Sequence, residues 1–241
     1  MATKKKTSNL KKVSYFEYEA KVDKAYKELL ESYREVKDSY TEMIFRFALV
    51  AEFKDEATGT HLVRIADYST EIANGLGLSK KDTYHLRYAS PMHDIGKLVI
   101  PDAILKKPGG LTPDEREIIK KHTTLGAKIF KGARSPLLKV SETISLTHHE
   151  RYDGTGYPRG LRGKQIPLFG RIVALADVFD ALTTKRPYKE AYDFDDAIEI
   201  VKSQNGKHFD PDVLKAFLKR LDRIKKIWRA TKDIEAFITE M

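Results

Sequence analysis

Two adjacent histidines, His148 and His149, close an apolar run (Val140, Ile144, Leu146) and open the stretch HHERYDGTGYPRG. Neighbouring side chains on a helix point about 100° apart, so two consecutive imidazoles reach one ion cluster only where the helix ends against it. The Asp-Gly-Thr-Gly turn chemistry that follows supplies such an ending. The ordinary reading of the pair is two surface histidines ahead of a loop. It loses ground here because the chain has only seven histidines, and His61, His93 and His122 also lie in or beside apolar helical patterns. Buried imidazoles need polar partners, and a shared metal site would supply one to each. Within the loop, Gly154 and Gly156 allow backbone conformations that other residues avoid, while Pro158 stiffens the exit. Such a loop can hold Tyr157 over a ligand pocket.

The acids add to the pattern. His93 is followed directly by Asp94 in what reads as an apolar helix, and Asp177 lies among Ala174, Leu175, Val178 and Phe179, with Asp180 at the next turn. An isolated buried carboxylate costs several kcal/mol unless it is paired or bound to a cation. The chain has no cysteine, so disulfides and thiolate sites are excluded and any metal must use His, Asp or Glu. Histidines and acids in this combination suit a pair of borderline divalent ions (Fe, Mn, Ni, Co or Zn) bridged by one carboxylate.

Helices must position these groups. From about Tyr15 to Phe53 there is no glycine or proline, and apolar residues recur at threes and fours, which predicts one long amphipathic helix. Its tyrosine-rich early part reads as a coiled-coil or signalling linker, and its part after Tyr40 as core. A second helix should start near His61 and end near Asn74, before Gly75-Leu76-Gly77. Ser79 with Asp82, and Thr112 ahead of Pro113-Asp114-Glu115, read as further helix starts, the helix from Thr112 and a successor carrying His122 with Ile118, Ile119, Leu125, Ile129 and Phe130. Residues 135–150, then 167–182, 193–204, 211–223 and 224–240, complete the helices, and no strand alternation appears. The fold class is all-α. The expected organisation is a basic tail over 1–13, a linker helix over 14–54, a catalytic domain over 55–222 and a C-terminal helix over 223–241.

With 241 residues, 41% hydrophobic and 33% charged, the chain is long enough for a sizeable core and polar enough to be soluble. No run is apolar enough to span a bilayer, and MATKKKTSNLKK lacks the apolar core of a signal peptide, so the cytoplasm is the expected compartment. No receiver or sensor module is recognised in these residues. The net charge of +9 suits anionic partners, but much of the excess sits at the two ends and no nucleic-acid reading motif accompanies it. Specific nucleic-acid binding is not expected.

In order along the chain stand TGTH at 58–61, HDIGK at 93–97, KHTTLGAKI at 121–129, HHERYDGTGYP at 148–158 and ADVFDALTTKRPYK at 176–189. On this ordered set, covering roughly residues 50–220, the sequence resembles the HD-GYP family, the branch of the metal-dependent HD phosphohydrolases that degrades cyclic di-GMP. The resemblance implies an HD-domain helical bundle, here with a long N-terminal helix and an extra C-terminal helix. It also implies hydrolysis of cyclic di-GMP to pGpG, and onward to GMP, by a hydroxide bridging two metals, iron or manganese ahead of zinc, nickel or cobalt. By position, His61, His93, Asp94 and Asp177 would hold one ion, and Asp94 would bridge to a second held by His122, His148 and His149. Lys97 would sit beside the scissile phosphate, and Tyr157, Arg186 and Lys189 would contact the nucleotide. Members with three metals carry a carboxylate four residues before the first histidine; that position is Ala57 here, so two metals are expected. Two alternatives stand beside this reading: a cyclic di-GMP-binding or protein-docking signalling module with weak turnover, and an HD phosphohydrolase acting on another nucleotide. A signalling protein, or a second copy joined through the N-terminal helix, is the expected macromolecular partner.

Overall fold

The computed structural model describes residues 15–55, 59–185 and 190–239, and among them every regular element is helical. The order is α1 (Tyr15–Glu52), α2 (Thr60–Leu76), α3 (Lys80–Ala89), α4 (Asp102–Leu105), α5 (Pro113–Phe130), α6 (Pro136–Thr147), α7 (Leu168–Thr183), α8 (Phe194–Ser203), α9 (Pro211–Lys219) and α10 (Leu221–Thr239). No helix among these residues is long and apolar enough to cross a membrane.

The starts read from sequence are local and form as expected. Ser79 accepts a hydrogen bond from the Asp82 amide, and Thr112 and Glu115 close a reciprocal capping box at α5. Three local expectations are corrected. Helix α2 runs to Leu76 rather than Asn74, because Gly77 takes the left-handed conformation (φ 74°) and caps it. Residues 121–130 belong to one helix, α5, with no successor carrying part of the set. The His93-Asp94 pair is not inside an α-helix. Pro91 has no N–H to continue α3, and the chain passes through two 3₁₀ turns, Ser90–Met92 and Ile95–Val99, with the pair between them.

The chain divides into two units after Met43. In the first, α1 keeps its large apolar side chains exposed. In the second, Ile44, Ala48 and Ala51 of the same helix are buried. The core of the second unit centres on Phe179 of α7, whose ring meets Tyr68 of α2, Phe194 of α8 and Phe217 of α9 at centroid distances of 5.3, 5.6 and 5.1 Å. Fully burying side chains of this size contributes about 1.5–3 kcal/mol each. This packing fixes α2 against α7, and so His61 against Asp177.

Candidate metal centre

The chemistry-bearing side chains come from several elements: His61 from the first turn of α2, His93 and Asp94 from between the 3₁₀ turns, Lys97 from the second of them. His122 comes from mid-α5, His148 and His149 from the end of α6, Asp177 from mid-α7. The fold gathers their ligand atoms into two groups, Asp94 with His122, His148 and His149, and His61 with His93 and Asp177, each within 4.8 Å. Asp94 joins them. Its Oδ1 lies 3.2 Å from His122 Nε2 and 3.5 Å from His148 Nε2, while its Oδ2 lies 3.3 Å from His93 Nε2 and 2.8 Å from the Lys97 ammonium. On the far side, His93 Nε2 is 3.9 Å from Asp177 Oδ1.

What turns the rings inward is a second set of contacts. Nδ1 of His93 donates to Ser90 O, that of His122 to Ile119 O, and that of His148 to Ile144 O and Ser145 O. His61 Nδ1 lies 2.6 Å from Asp180 Oδ2. Each contact leaves Nε2 aimed at the interior, the arrangement by which outer partners orient metal-ligating imidazoles. The Nε2 atoms of His122 and His148 then face one another at 3.3 Å, and His93 Nε2 and Asp94 Oδ1 are buried without a hydrogen bond. Buried polar atoms rarely stay unsatisfied, and a cation among them is what this donor set would accept. The cluster is able to hold metal ions.

The charges agree. Burial alone would raise the Asp94 carboxyl, but the charges of Lys97 and His93, with the His122 and His148 rings beside it, hold it well below the ordinary carboxylate range. Burial pushes His148 down and His149 well down, the direction that favours the neutral imidazole a ligand must present. His93 is the exception: burial opposes its charge, yet Asp94 and Asp177 raise it to about 9. A cation taking the place of that proton would face the same two carboxylates.

Tyr157 stacks on His149 at 4.8 Å between centroids, with the Lys120 ammonium 5.5 Å from its ring. The loop that carries it is drawn closed by Glu150, a buried carboxylate that accepts from the amides of Arg159 and Leu161. Tyr152 and Asp153 donate their amides to His208 O and Lys207 O, tying the loop to the turn before α9. Arg186, Lys189 and Ala57 lie outside the described residues.

Four buried residues around these groups were not singled out as site residues by the sequence reading. Asp180 is buried and gripped by a fork from Arg64, through Nε to Oδ1 and through Nη2 to Oδ2 at 3.1 Å. His61 and Arg64 overcome the burial that would raise its carboxyl and hold it at about 2. The available signal was spacing: Arg64 is three residues after His61, and Asp180 three after Asp177, so each shares a helix face with a site residue. Glu150 follows the histidine pair directly, a position with no such signal. Glu52, at the end of α1, is 5% exposed and lies within the charge environment of His61, Lys97, His93 and Asp94. Burial raises its carboxyl against the pull of the first three of these.

The HD-domain family profile matches residues 47–213. The chain is 43% identical over 203 residues to a cyclic di-GMP phosphodiesterase of Thermotoga maritima, covering 84% of this chain and 55% of that protein. It is 38% identical over 199 residues to 3'3'-cGAMP-specific phosphodiesterase 2 of Vibrio cholerae, covering 83% of this chain and 38% of that protein. The chain thus spans about half the length of the first of these relatives, and less of the second. Among solved structures, a cyclic GMP-AMP specific phosphodiesterase of V. cholerae (V-cGAP3) superposes with a TM-score of 0.60 at 19% identity, covering 80% of this chain and 53% of that one, which is a likeness of fold.

Proposed function

The chain belongs to the HD-domain family, and from that premise we propose that it is a metal-dependent phosphodiesterase that opens cyclic di-GMP. The observation that carries this reading is one carboxylate, Asp94, with an oxygen turned to each of two ligand sets whose imidazoles are held by outer partners. The substrate class is supported by the relatives named cyclic di-GMP phosphodiesterase at 43% identity. Two divalent ions, iron or manganese, fit nitrogen and oxygen ligands without thiolate. Bound there, they would supply Lewis acidity and a hydroxide nucleophile at neutral pH.

The chain's own residues would do the rest. Asp94 holds the two ligand sets in register. Asp180, itself fixed by Arg64, orients His61. The Lys97 ammonium, 2.8 Å from Asp94, stands where it can neutralise charge gathering on the phosphoryl oxygens as the 3′ oxygen leaves. Tyr157 offers an aromatic edge beside His149 against which a nucleotide can settle, with Arg186 and Lys189 assigned to the same substrate. Opening one diester gives pGpG, and cutting the second gives GMP. A time course on metal-loaded protein that resolves these species is the test. pGpG is expected as the first product, and a chain that spares cyclic di-GMP while cleaving 3'3'-cGAMP would move the assignment to the substrate named for the 38% identical relative.

Lys97→Ala should lower kcat by about 10²–10³-fold, the usual effect of removing one charge-stabilising donor. Metal content by elemental analysis should be unchanged. Loss of metal from the variant would make Lys97 a support for Asp94 rather than a phosphate contact.

The partner proposed for α1 is a second copy of the chain. Val22, Tyr26, Leu29, Tyr33, Val36, Tyr40 and Met43 alternate steps of four and three, and all are 37–67% exposed. A sustained repeat of 3.5 matches a supercoiled helix with the same repeat. The positions flanking the seam at Ala25, Ser32 and Ser39 are small and uncharged, so two copies meet there without like-charge repulsion. Leu29→Glu with Val36→Glu should weaken self-association at least ~100-fold, about 2.7 kcal/mol, read by light scattering across a dilution series. A wild type that stays monomeric at all concentrations would point to a different signalling protein on this face.

A further inference from the structure

Arg151 stands at the start of the loop that carries Tyr157, and its guanidinium makes contacts that the proposed chemistry does not use. Its Nε donates to Thr155 Oγ1 at 3.0 Å, Nη1 to His208 Nδ1 at 2.9 Å and Nη2 to Gln204 Oε1 at 3.5 Å. The Thr155 hydroxyl and amide both donate to Asp153 Oδ1, at 2.6 and 2.9 Å. One planar fork therefore spans two segments, the glycine loop and the turn between α8 and α9.

The two segments differ in how firmly each is held. The turn is closed on itself: the amides of Lys207, His208 and Phe209 all donate to Gln204 O, and that of Gly206 donates to Phe209 O. Phe209 is buried in the core, so the turn has a fixed seat. In the loop, Gly154 and Gly156 flank Thr155, and glycine has the most backbone freedom to lose on ordering. Gly156 passes so close to the start of the loop that a Cβ there would lie 2.2 Å from the Arg151 amide nitrogen. Backbone folded this tightly brings Thr155 to the guanidinium. It also delivers Tyr157 to His149, whose carbonyl accepts the Tyr157 amide at 3.2 Å.

The central contact suits a lasting tie. Arginine is a donor only, so His208 Nδ1 is the acceptor and the ring proton sits on Nε2. Burial and the Arg151 charge push the ring down to about 4, which keeps it an acceptor at neutral pH. A lysine in the same place would carry the charge but not the fork.

We infer that Arg151 is a positioning residue for the nucleotide: it ties Thr155 to Gln204 and His208, and so fixes Tyr157 against His149 before substrate arrives. This rests on the substrate reading above, in which Tyr157 meets the nucleotide. Holding a loop in its bound conformation raises affinity by removing the entropy otherwise lost on ordering it.

The test is Arg151→Met, which removes the fork and keeps an apolar stem, with Arg151→Lys alongside. On the metal-loaded full chain, KM for cyclic di-GMP should rise about tenfold in R151M with kcat within about threefold of wild type, the pattern of lost binding rather than lost chemistry. Metal content should be unchanged, and R151K should recover little of the loss. In a Tyr157→Ala background R151M should add nothing further to KM, because a residue that acts through Tyr157 has no effect once the ring is gone. Amide hydrogen exchange in R151M should quicken over residues 152–157 and match wild type elsewhere. A wild-type KM in R151M would overturn the inference. So would a wild-type KM in R151K, or a fully additive effect in the Tyr157→Ala background, either of which makes Arg151 a direct charge contact. Wild-type exchange over the loop, or exchange quickened throughout the chain, would overturn it as well, since Arg151 would then hold either nothing or the whole fold. A wild type that binds metal and leaves cyclic di-GMP intact would remove the substrate reading itself, and the exchange rates would still decide whether Arg151 holds the loop.

Discussion

Asp94→Ala should lose both metals at once. The two oxygens of this carboxylate face opposite ligand sets, Oδ1 toward His122 and His148, Oδ2 toward His93. No other described acid spans both groups, since Asp177 stands only with His61 and His93. Removing it also takes away a negative charge that Lys97 and the raised His93 both face. Like-charged groups then crowd a buried space, which opposes cation binding further. Turnover should drop about 10³–10⁴-fold, the scale of several kcal/mol of lost metal assistance. By contrast, His61→Ala and His149→Ala each remove a ligand from one set and should leave about one ion per chain. Elemental analysis of the three variants separates these outcomes, and full two-ion occupancy in Asp94→Ala would defeat the bridging role.

Gly96→Ala should be as damaging by a purely steric route. Gly96 sits two residues after Asp94, pressed against α5. A Cβ there would lie 1.9 Å from the carbonyl oxygen of His122 and 2.6 Å from the amide nitrogen of Gly126. Both are backbone atoms, so no side chain can swing aside. The Ile95–Val99 turn and α5 must separate, and the same movement draws His122 away from Asp94. Overpacking in a core typically costs 1–3 kcal/mol and more where nothing yields. Here about 3 kcal/mol or more is expected, a fall in melting temperature of roughly 6–12 °C for a domain of this size, together with weaker metal binding. A variant that melts within about 2 °C of wild type would show that the two elements are free to part.

The legibility of these features followed their range along the chain. Helix starts at Ser79 and Thr112 could be read because a cap and its amide lie three residues apart. The ligand types could be read because His and Asp seldom stand in apolar surroundings without a polar partner or a cation. The setting of His93 and Asp94 reads as helical and is not: apolar character does not distinguish an α-helix from two consecutive 3₁₀ turns, and Pro91 was the signal that did. The pairing of Arg64 with Asp180 joins residues 116 apart in sequence. Spacing places each on a face, but only the packing of α2 on α7 says that the faces meet. Glu52 lies in the part of α1 after Tyr40 that reads as core, but nothing local in the sequence marks its acid as buried.

One measurement bears most directly on the proposed activity: metal-free protein is titrated with Mn²⁺ or Fe²⁺ while cyclic di-GMP turnover is followed by chromatography. Linear pGpG should appear only after metal is added, with a rate that climbs to a plateau near two ions per chain. Cyclic di-GMP left intact at every loading, in protein shown to have bound the ions, would contradict it.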